Sequence, residues 1–229
     1  MAPIAALRNT VVSASLDLFG DLPRERSRLV IDDGAMLLAA HLQSRDRAVL
    51  EAVHTVFGAA PPRPMRTRSG GRLSVAMSNC GAVGWVSDHT GYRYDAVDPE
   101  SGLRWPPMPA ILASLARDAA LAAGYQRFAP DVCLVNRYEA GNRLGLHQDM
   151  DEAEFDSPIV SVSLGLSALF LWGGKERSER ARRIPLMHGD VVVWGGPTRM
   201  NFHGVHSIVA GHHPLTGPYR YNLTFRRAR

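Results

Sequence analysis

Beyond Pro130 the chain has few ways to fold other than as layered β structure. Runs at 132–138, 159–164, 169–172, 191–194 and 219–225 are rich in β-branched and aromatic residues, and Gly, Pro and Asp separate them. Such runs are short for helices, and the residues between them favour turns. Several strands at this spacing make a sandwich or a jelly roll, whose small barrel mouth can hold a ligand.

The first half has a different period. Between 44 and 58, Val49, Leu50, Val53, Val56 and Phe57 recur at steps of three and four, and Gly58 closes an amphipathic helix. Pro61, Pro62 and Pro64 forbid its continuation. A second helix is expected from Pro109 through Ile111, Leu112, Leu115 and Leu121 to Gly124, a residue suited to the left-handed C-terminal position. The segment between them is rich in Gly and aromatics. The fold class expected is α+β, mainly β, with the helices buttressing one sheet; 45% hydrophobic content supports a sizeable core. There is no internal repeat.

No run of about eighteen apolar residues is present to cross a bilayer as a helix. Residues 1–15 lack the continuous apolar stretch and cleavage site of a secretory signal, so a loose leader on a cytoplasmic protein is expected, followed by one domain over 16–229. Cys80 and Cys133 give neither a disulfide framework nor C-x-x-C metal spacing. With 26 Lys+Arg against 22 Asp+Glu, the net charge of +4 suits a polyanionic partner without requiring one. Nothing in the pattern asks for more than a monomer.

Leu144-Gly145-Leu146-His147-Gln148-Asp149 reads as a strand whose period of two sends His147 and Asp149 to one face. Two imidazoles and a carboxylate on one face of an octahedron leave three positions open, which suits non-haem Fe(II) binding a cosubstrate and O2 together; structural zinc wants a closed shell. Alone, a His two residues from an Asp is more often an exposed polar pair. His188, His203, His206, His212 and His213 all stand open as the third ligand, although His212 and His213 lie in a Gly-Pro loop and His188 precedes a turn signal. At 220–226, Arg220, Asn222, Thr224 and Arg226 alternate with Tyr221, Leu223 and Phe225. The polar face is either solvated or the lining of a buried cavity, where Arg220 and Arg226 could clamp the two ends of a dicarboxylate.

Taken together, Asn136-Arg137-Tyr138, His147-Gln148-Asp149, His188-Gly189-Asp190, His203-Gly204 and the 220–226 strand resemble the AlkB family of Fe(II)- and 2-oxoglutarate-dependent nucleic-acid dealkylases. The likeness runs from Leu16-Asp17-Leu18-Phe19 through 74–81, Asp98-Pro99 and 161–166 to the arginine strand, and leaves out residues 1–15. It implies a double-stranded β-helix (jelly-roll) core with 61–95 as a nucleotide-recognition lid. It implies His147, Asp149 and His203 as the iron ligands, with His206 outside the first ring of contacts. Arg220, aided by Tyr138, would take the distal carboxylate of 2-oxoglutarate, while Arg226, Asn136 and Asn222 would lie near its iron-chelating end. The implied reaction consumes 2-oxoglutarate and O2 and demethylates bases of the 1-methyladenine and 3-methylcytosine type, releasing formaldehyde, succinate and CO2. The substrate would be alkylated single-stranded or flipped-base DNA, with RNA as an open second class, and the role direct-reversal DNA repair. A hydroxylase acting on a protein or small molecule would share the metal and cosubstrate positions and is the alternative.

A methyl group on a base edge is reached on a single strand or after the nucleotide flips out, and flat side chains then hold it. Trp85 and Tyr92 match the family's aromatic lid positions, Trp85 for the base and Tyr92 for its backbone; plain hairpin packing would explain the same residues. Asp151 shares the face of His147 if the strand continues, and a carboxylate there would favour cationic, methylated bases. Otherwise it belongs to a solvated acidic run. Arg177 matches a substrate-contacting arginine in a mixed-charge loop, and Met77 a position near the base, although a strand Met is also core filling. Four arginines between 63 and 72 could touch phosphate. The departures from the family pattern concentrate in that hairpin and in the charged segment after Gly174.

Overall fold

A computed structural model describes residues 24–229; the leader expected at 1–15 and the 16–19 motif lie outside the described residues. Along the chain come β1 (Ser27–Asp32), β2 (Ala35–Ala39), α1 (Asp46–Ala59), β3 (Arg63–Arg66), β4 (Arg72–Gly81), β5 (Gly84–Asp88), β6 (Gly91–Asp95) and α2 (Ala110–Ala122). The β half follows with β7 (Val132–Tyr138), β8 (Leu144–His147), β9 (Ile159–Gly165), β10 (Ala168–Trp172), β11 (Arg182–Leu186), β12 (Val191–Trp194), β13 (His203–Val205) and β14 (Arg220–Arg226). Among the described residues no helix is long and apolar enough to cross a membrane.

An eight-stranded sheet runs β1-β2-β12-β9-β14-β7-β4-β3, a four-stranded sheet runs β11-β10-β13-β8, and β5 pairs with β6 as a separate hairpin. Neighbours far apart in sequence, such as β9 between β12 and β14, give the antiparallel crossovers of a jelly roll. The strand period of two sorts the large sheet's side chains into two faces. Cys133, Val135, Val160, Val162, Leu223 and Phe225 point outward and share one core with Val49, Val53 and Val56 of α1 and Leu112 and Leu115 of α2. Each fully buried Leu or Val there contributes about 1.5–3 kcal/mol. Neither helix has a side-chain cap, worth about 1 kcal/mol where present, so the apolar stripes rather than the ends hold α1 and α2.

The inward face meets the small sheet. One apolar cluster there gathers Ile159, Phe170, Trp172, Val192 and Trp194, and another gathers Met77, Leu134, Tyr138, Ala168 and Val205. Every residue of β14 is buried, including its four polar ones. The polar face is therefore the lining of the interior, not a solvated surface.

β13 and β8 approach so closely that Gly204 has no room for a side chain. A Cβ there would meet the Leu144 carbonyl oxygen at 2.7 Å and the Gly145 backbone at 3.0 Å. Backbone cannot give as a flexible side chain does, so Gly204→Ala must spread the two strands. We expect it to cost ~1–3 kcal/mol, as overpacking does, read as a lower urea midpoint; a midpoint equal to the parent's would contradict this packing.

Candidate active site

β8 and β13 build the site. Their register sets His203 directly opposite His147 and brings the ring centroids to 4.4 Å. β8 stops at His147, so Asp149 is delivered by the segment beyond the strand rather than by continued alternation. Its carboxylate still meets both rings: Oδ1 lies 3.7 Å from His147 Nε2, and Oδ2 lies 3.7 Å from His203 Nε2. One donor atom from each residue falls within 4.8 Å of the others, the only such group of three among the described residues.

Both imidazoles hold the tautomer a cation needs. His147 Nδ1 is 2.8 Å from the Gly145 carbonyl, and His203 Nδ1 is 3.0 Å from the Asn201 carbonyl. A carbonyl only accepts, so each Nδ1 carries the proton and each Nε2 keeps its lone pair. His203 is buried against Trp194 and Phe170, with centroids at 4.8 and 6.1 Å. Burial, and then His147 beside it, push its pKa down to about 3. Burial opposes ionisation of Asp149, but Arg226, then His203 and His147, hold its carboxyl well below the usual carboxylate range. Two imidazoles that present Nε2 and one carboxylate are a donor set that fits a divalent ion. Of the other histidines, His188 accepts from the Gly165 amide and faces Asp46 at 3.2 Å, stacked on His213, and His206 is exposed.

Beside this set lies the polar face of β14. Its register puts Arg220 opposite Tyr138 and Asn222 opposite Asn136. Arg220 donates to Ser163 Oγ at 2.9 Å and to the Leu166 carbonyl at 3.1 Å, but makes no ion pair among the described residues. Burial lowers its pKa only to about 10, so the guanidinium is charged at neutral pH; burial lifts Tyr138 to about 12, leaving a neutral phenol. Asn222 donates to Ser161 Oγ at 2.8 Å and accepts from Asn136 at 3.3 Å. Arg220 Nε, Arg226 Nη1 and Asn136 Oδ1 are buried with no hydrogen-bond partner. A buried cation without a counter-ion and two unpartnered guanidinium N–H groups, Arg220 Nε and Arg226 Nη1, on one inner face are what a polar anion would satisfy.

The residues expected on the substrate side fall into two groups. Trp85 on β5 donates through Nε1 to Asp151 at 2.8 Å and stacks on Tyr92 of β6 at 5.6 Å and 17°. Asp151 is exposed, beyond the end of β8, so the strand face proposed for it does not extend that far; Trp85 meets it all the same. Met77 pairs with Asn136 across β4 and β7 and is buried in the cluster with Tyr138, against which Trp85 packs. Arg177 is exposed and stands over Phe202, the neighbour of His203, at 5.8 Å. A cavity of about 370 Å³ is lined by Tyr92, Tyr94, Asp151 and Glu152. Sequence reasoning passed over Ser161, Ser163, Tyr94, Glu152, Trp194 and Arg199. The two serines had a signal, polar residues two apart inside an apolar strand; Glu152 and Arg199 had none.

A family model described as the 2OG-Fe(II) oxygenase superfamily matches residues 34–226. Fold and site together thus define an Fe(II)- and 2-oxoglutarate-dependent dioxygenase. The "Alpha-ketoglutarate-dependent dioxygenase AlkB" of Salmonella typhimurium is 48% identical over 213 residues, covering 93% of this chain and 98% of that one. The solved structure of OsALKBH1 superimposes with a TM-score of 0.77 at 30% identity, covering 88% of this chain and 100% of the other. The "DNA N(6)-methyladenine demethylase ALKBH1D" of Arabidopsis thaliana is 48% identical over 111 residues, 43% of this chain and 25% of that protein. The chain belongs to the AlkB family of that superfamily.

The depressed pKa of His203 has a consequence for stability. An unfolded histidine takes its proton near pH 6.5, the folded one only at about 3. A lowered folded-state pKa gives stability that is fully present above about 6.5 and lost as pH falls towards 3. Urea unfolding of the metal-free protein should show this loss, and His203→Gln should flatten it between about pH 6.5 and 4. An equal slope in the two proteins would contradict the buried neutral imidazole.

Proposed function

We propose that this chain oxidatively demethylates alkylated bases of the 1-methyladenine and 3-methylcytosine type in DNA, with RNA as a second substrate class, and so repairs them by direct reversal. The observation that carries this reading is the contact of Trp85 with Asp151 and Tyr92, on a hairpin that packs through Trp85 against the cluster holding Val205 of β13: a flat ring and a carboxylate held together at 2.8 Å suit a flat cation. Methylation at N1 or N3 makes the base cationic and demethylation removes that charge, so Asp151 would favour the damaged base over the product.

His147, Asp149 and His203 would hold Fe(II). Arg220, with the neutral Tyr138 opposite it, would bind the distal carboxylate of 2-oxoglutarate, and Asn136, Asn222 and Arg226 would line the end nearer the metal. Bound iron, with 2-oxoglutarate and O2, supplies the oxidising power. The protein's own part is to exclude water with its apolar clusters, keep His203 neutral, present both Nε2 atoms to the metal and hold the base still. Trp85 would stack on that base, Tyr92 would touch its backbone, Met77 would line the floor of the pocket, and Arg177 would contact the strand outside. In this reading 16–229 is one domain, 61–95 is the lid over the site, and the protein works as a monomer in the cytoplasm. The relative named as a DNA demethylase supports a methylated DNA base as the class of substrate.

Single-stranded oligonucleotides carrying 1-methyladenine or 3-methylcytosine should release formaldehyde when Fe(II) and 2-oxoglutarate are present; no release from either would sink the assignment. Trp85→Ala should weaken substrate binding by ~10- to 100-fold, the worth of one stacked base, and parent-like affinity would remove Trp85 from the pocket. Arg220→Ala should weaken 2-oxoglutarate binding by a similar ~10- to 100-fold, since a hydrogen-bonded charge is lost, and leave iron binding in place. Unchanged cosubstrate affinity would refute the clamp.

A further inference from the structure

The segment that delivers Asp149 has neither strand nor helix from 148 to 158. It is held instead by a closed ring of buried charges. Arg226 binds Asp149 Oδ2 through Nε at 2.8 Å and Nη2 at 2.6 Å, and its Nε also lies 3.3 Å from Glu152 Oε1. Glu152 Oε2 lies 3.1 Å from Arg199 Nη2. Arg199 returns to the start, donating through Nη1 to the Asp149 carbonyl at 2.9 Å. A further bond from Arg199 Nε to the Ser157 carbonyl at 3.3 Å, and its guanidinium over Phe155 at 5.2 Å, pin the far end of the segment. Side-chain exposures of 9% for Asp149, 6% for Arg226, 1% for Glu152 and 3% for Arg199 put all four charges out of water.

We infer that Glu152 and Arg199 are positioning residues for the Asp149 carboxylate, an inference that rests on the proposed role of Asp149 as a metal ligand. Arg226 alone, at 2.6 Å, would neutralise Asp149 and make it a poor partner for a divalent ion. Glu152 takes up part of that guanidinium, and Arg199 neutralises Glu152 in turn, so two anions and two cations balance. Arg226 engages only Oδ2; Oδ1, the oxygen nearer His147, accepts no hydrogen bond among the described residues. Removing either Glu152 or Arg199 leaves a buried charge without its partner, which is far costlier than removing a balanced pair. Without Glu152, Arg226 has only Asp149 to turn to. Without Arg199, Glu152 competes with Asp149 for Arg226, and the 148–158 segment loses the two bonds that Arg199 makes to the Asp149 and Ser157 carbonyls.

The test is titration of the metal-free enzyme with Co(II) alone, reading affinity and the d–d absorption spectrum. Glu152→Gln and Arg199→Met should each weaken Co(II) by ~10- to 100-fold, the usual effect of losing an outer partner of a ligand, and change the spectrum. Arg199→Lys should recover part of the loss. The double variant should bind no worse than the weaker single variant, because neither unpaired charge remains. Parent-like Co(II) affinity and spectrum in folded Glu152→Gln, or a double variant whose loss is the product of the two single losses, would overturn the inference. If Arg199→Met does not fold, the isosteric Glu152→Gln and the conservative Arg199→Lys decide the matter. His147→Ala separates the two levels: parent-like Co(II) binding in it removes the metal site itself, whereas loss there with no change in Glu152→Gln removes only the positioning role.

Discussion

The organising constraint of this protein is a charged face buried at the centre of a sheet. An ion moved out of water costs several kcal/mol even after the surroundings relax, and β14 carries two guanidiniums inward. Arg226 is repaid by Asp149 and Glu152, but Arg220 has only a serine hydroxyl and a backbone carbonyl. A fold that keeps such a residue needs rigid walls around it. Here they are the outer helices on one side and, on the inner side, two apolar clusters flanking the polar strip. The polar strip thus places two guanidiniums, Arg220 and Arg226, on one buried face, the cations that the two ends of a small dicarboxylate require.

How the two sheets meet decides where the chemistry sits. The large sheet supplies the polar strip and Arg226; the small sheet supplies His147 and His203 through one cross-strand pair. Asp149 joins them, lying within reach of both rings and of Arg226. The β5–β6 hairpin reaches the same segment twice, through Trp85 to Asp151 at 2.8 Å and through the Tyr94 hydroxyl to Glu152 at 2.7 Å. The hairpin is itself fixed, since Asn79 holds both the amide and the carbonyl of Trp85 and a Cβ at Gly84 would strike Trp105 at 2.4 Å. The aromatic pair and the segment that carries Asp149 are therefore parts of one bonded arrangement.

What could be read from sequence follows from what each element's period encodes. α1, α2, β7, β9, β12 and β14 carry strong apolar periodicity, because one face of each is buried in the same core, and their positions were legible to within a few residues. β1 was not: five of its six residues are exposed, so its sequence records no core. The polar face of β14 was visible as a pattern but not as inside or outside, since alternation is the same for a solvated edge and a lined cavity. His203 could not be separated from four other histidines by local pattern, because a strand pairing between residues 147 and 203 is a long-range event; the resemblance chose it and the register brings it to His147. The ring through Glu152 and Arg199 left no trace at all in local sequence, joining an irregular segment to a short turn 47 residues away.

In the proposed site His147, Asp149 and His203 bind one iron together with 2-oxoglutarate. Anaerobic absorption spectroscopy reads that ternary arrangement directly, because a chelated 2-oxoglutarate on Fe(II) gives a metal-to-ligand charge-transfer band. The band should appear only when Fe(II) and 2-oxoglutarate are both added to the parent protein, and it should be lost in His203→Ala. No band in the parent, or a band of parental intensity in His203→Ala, would contradict the account.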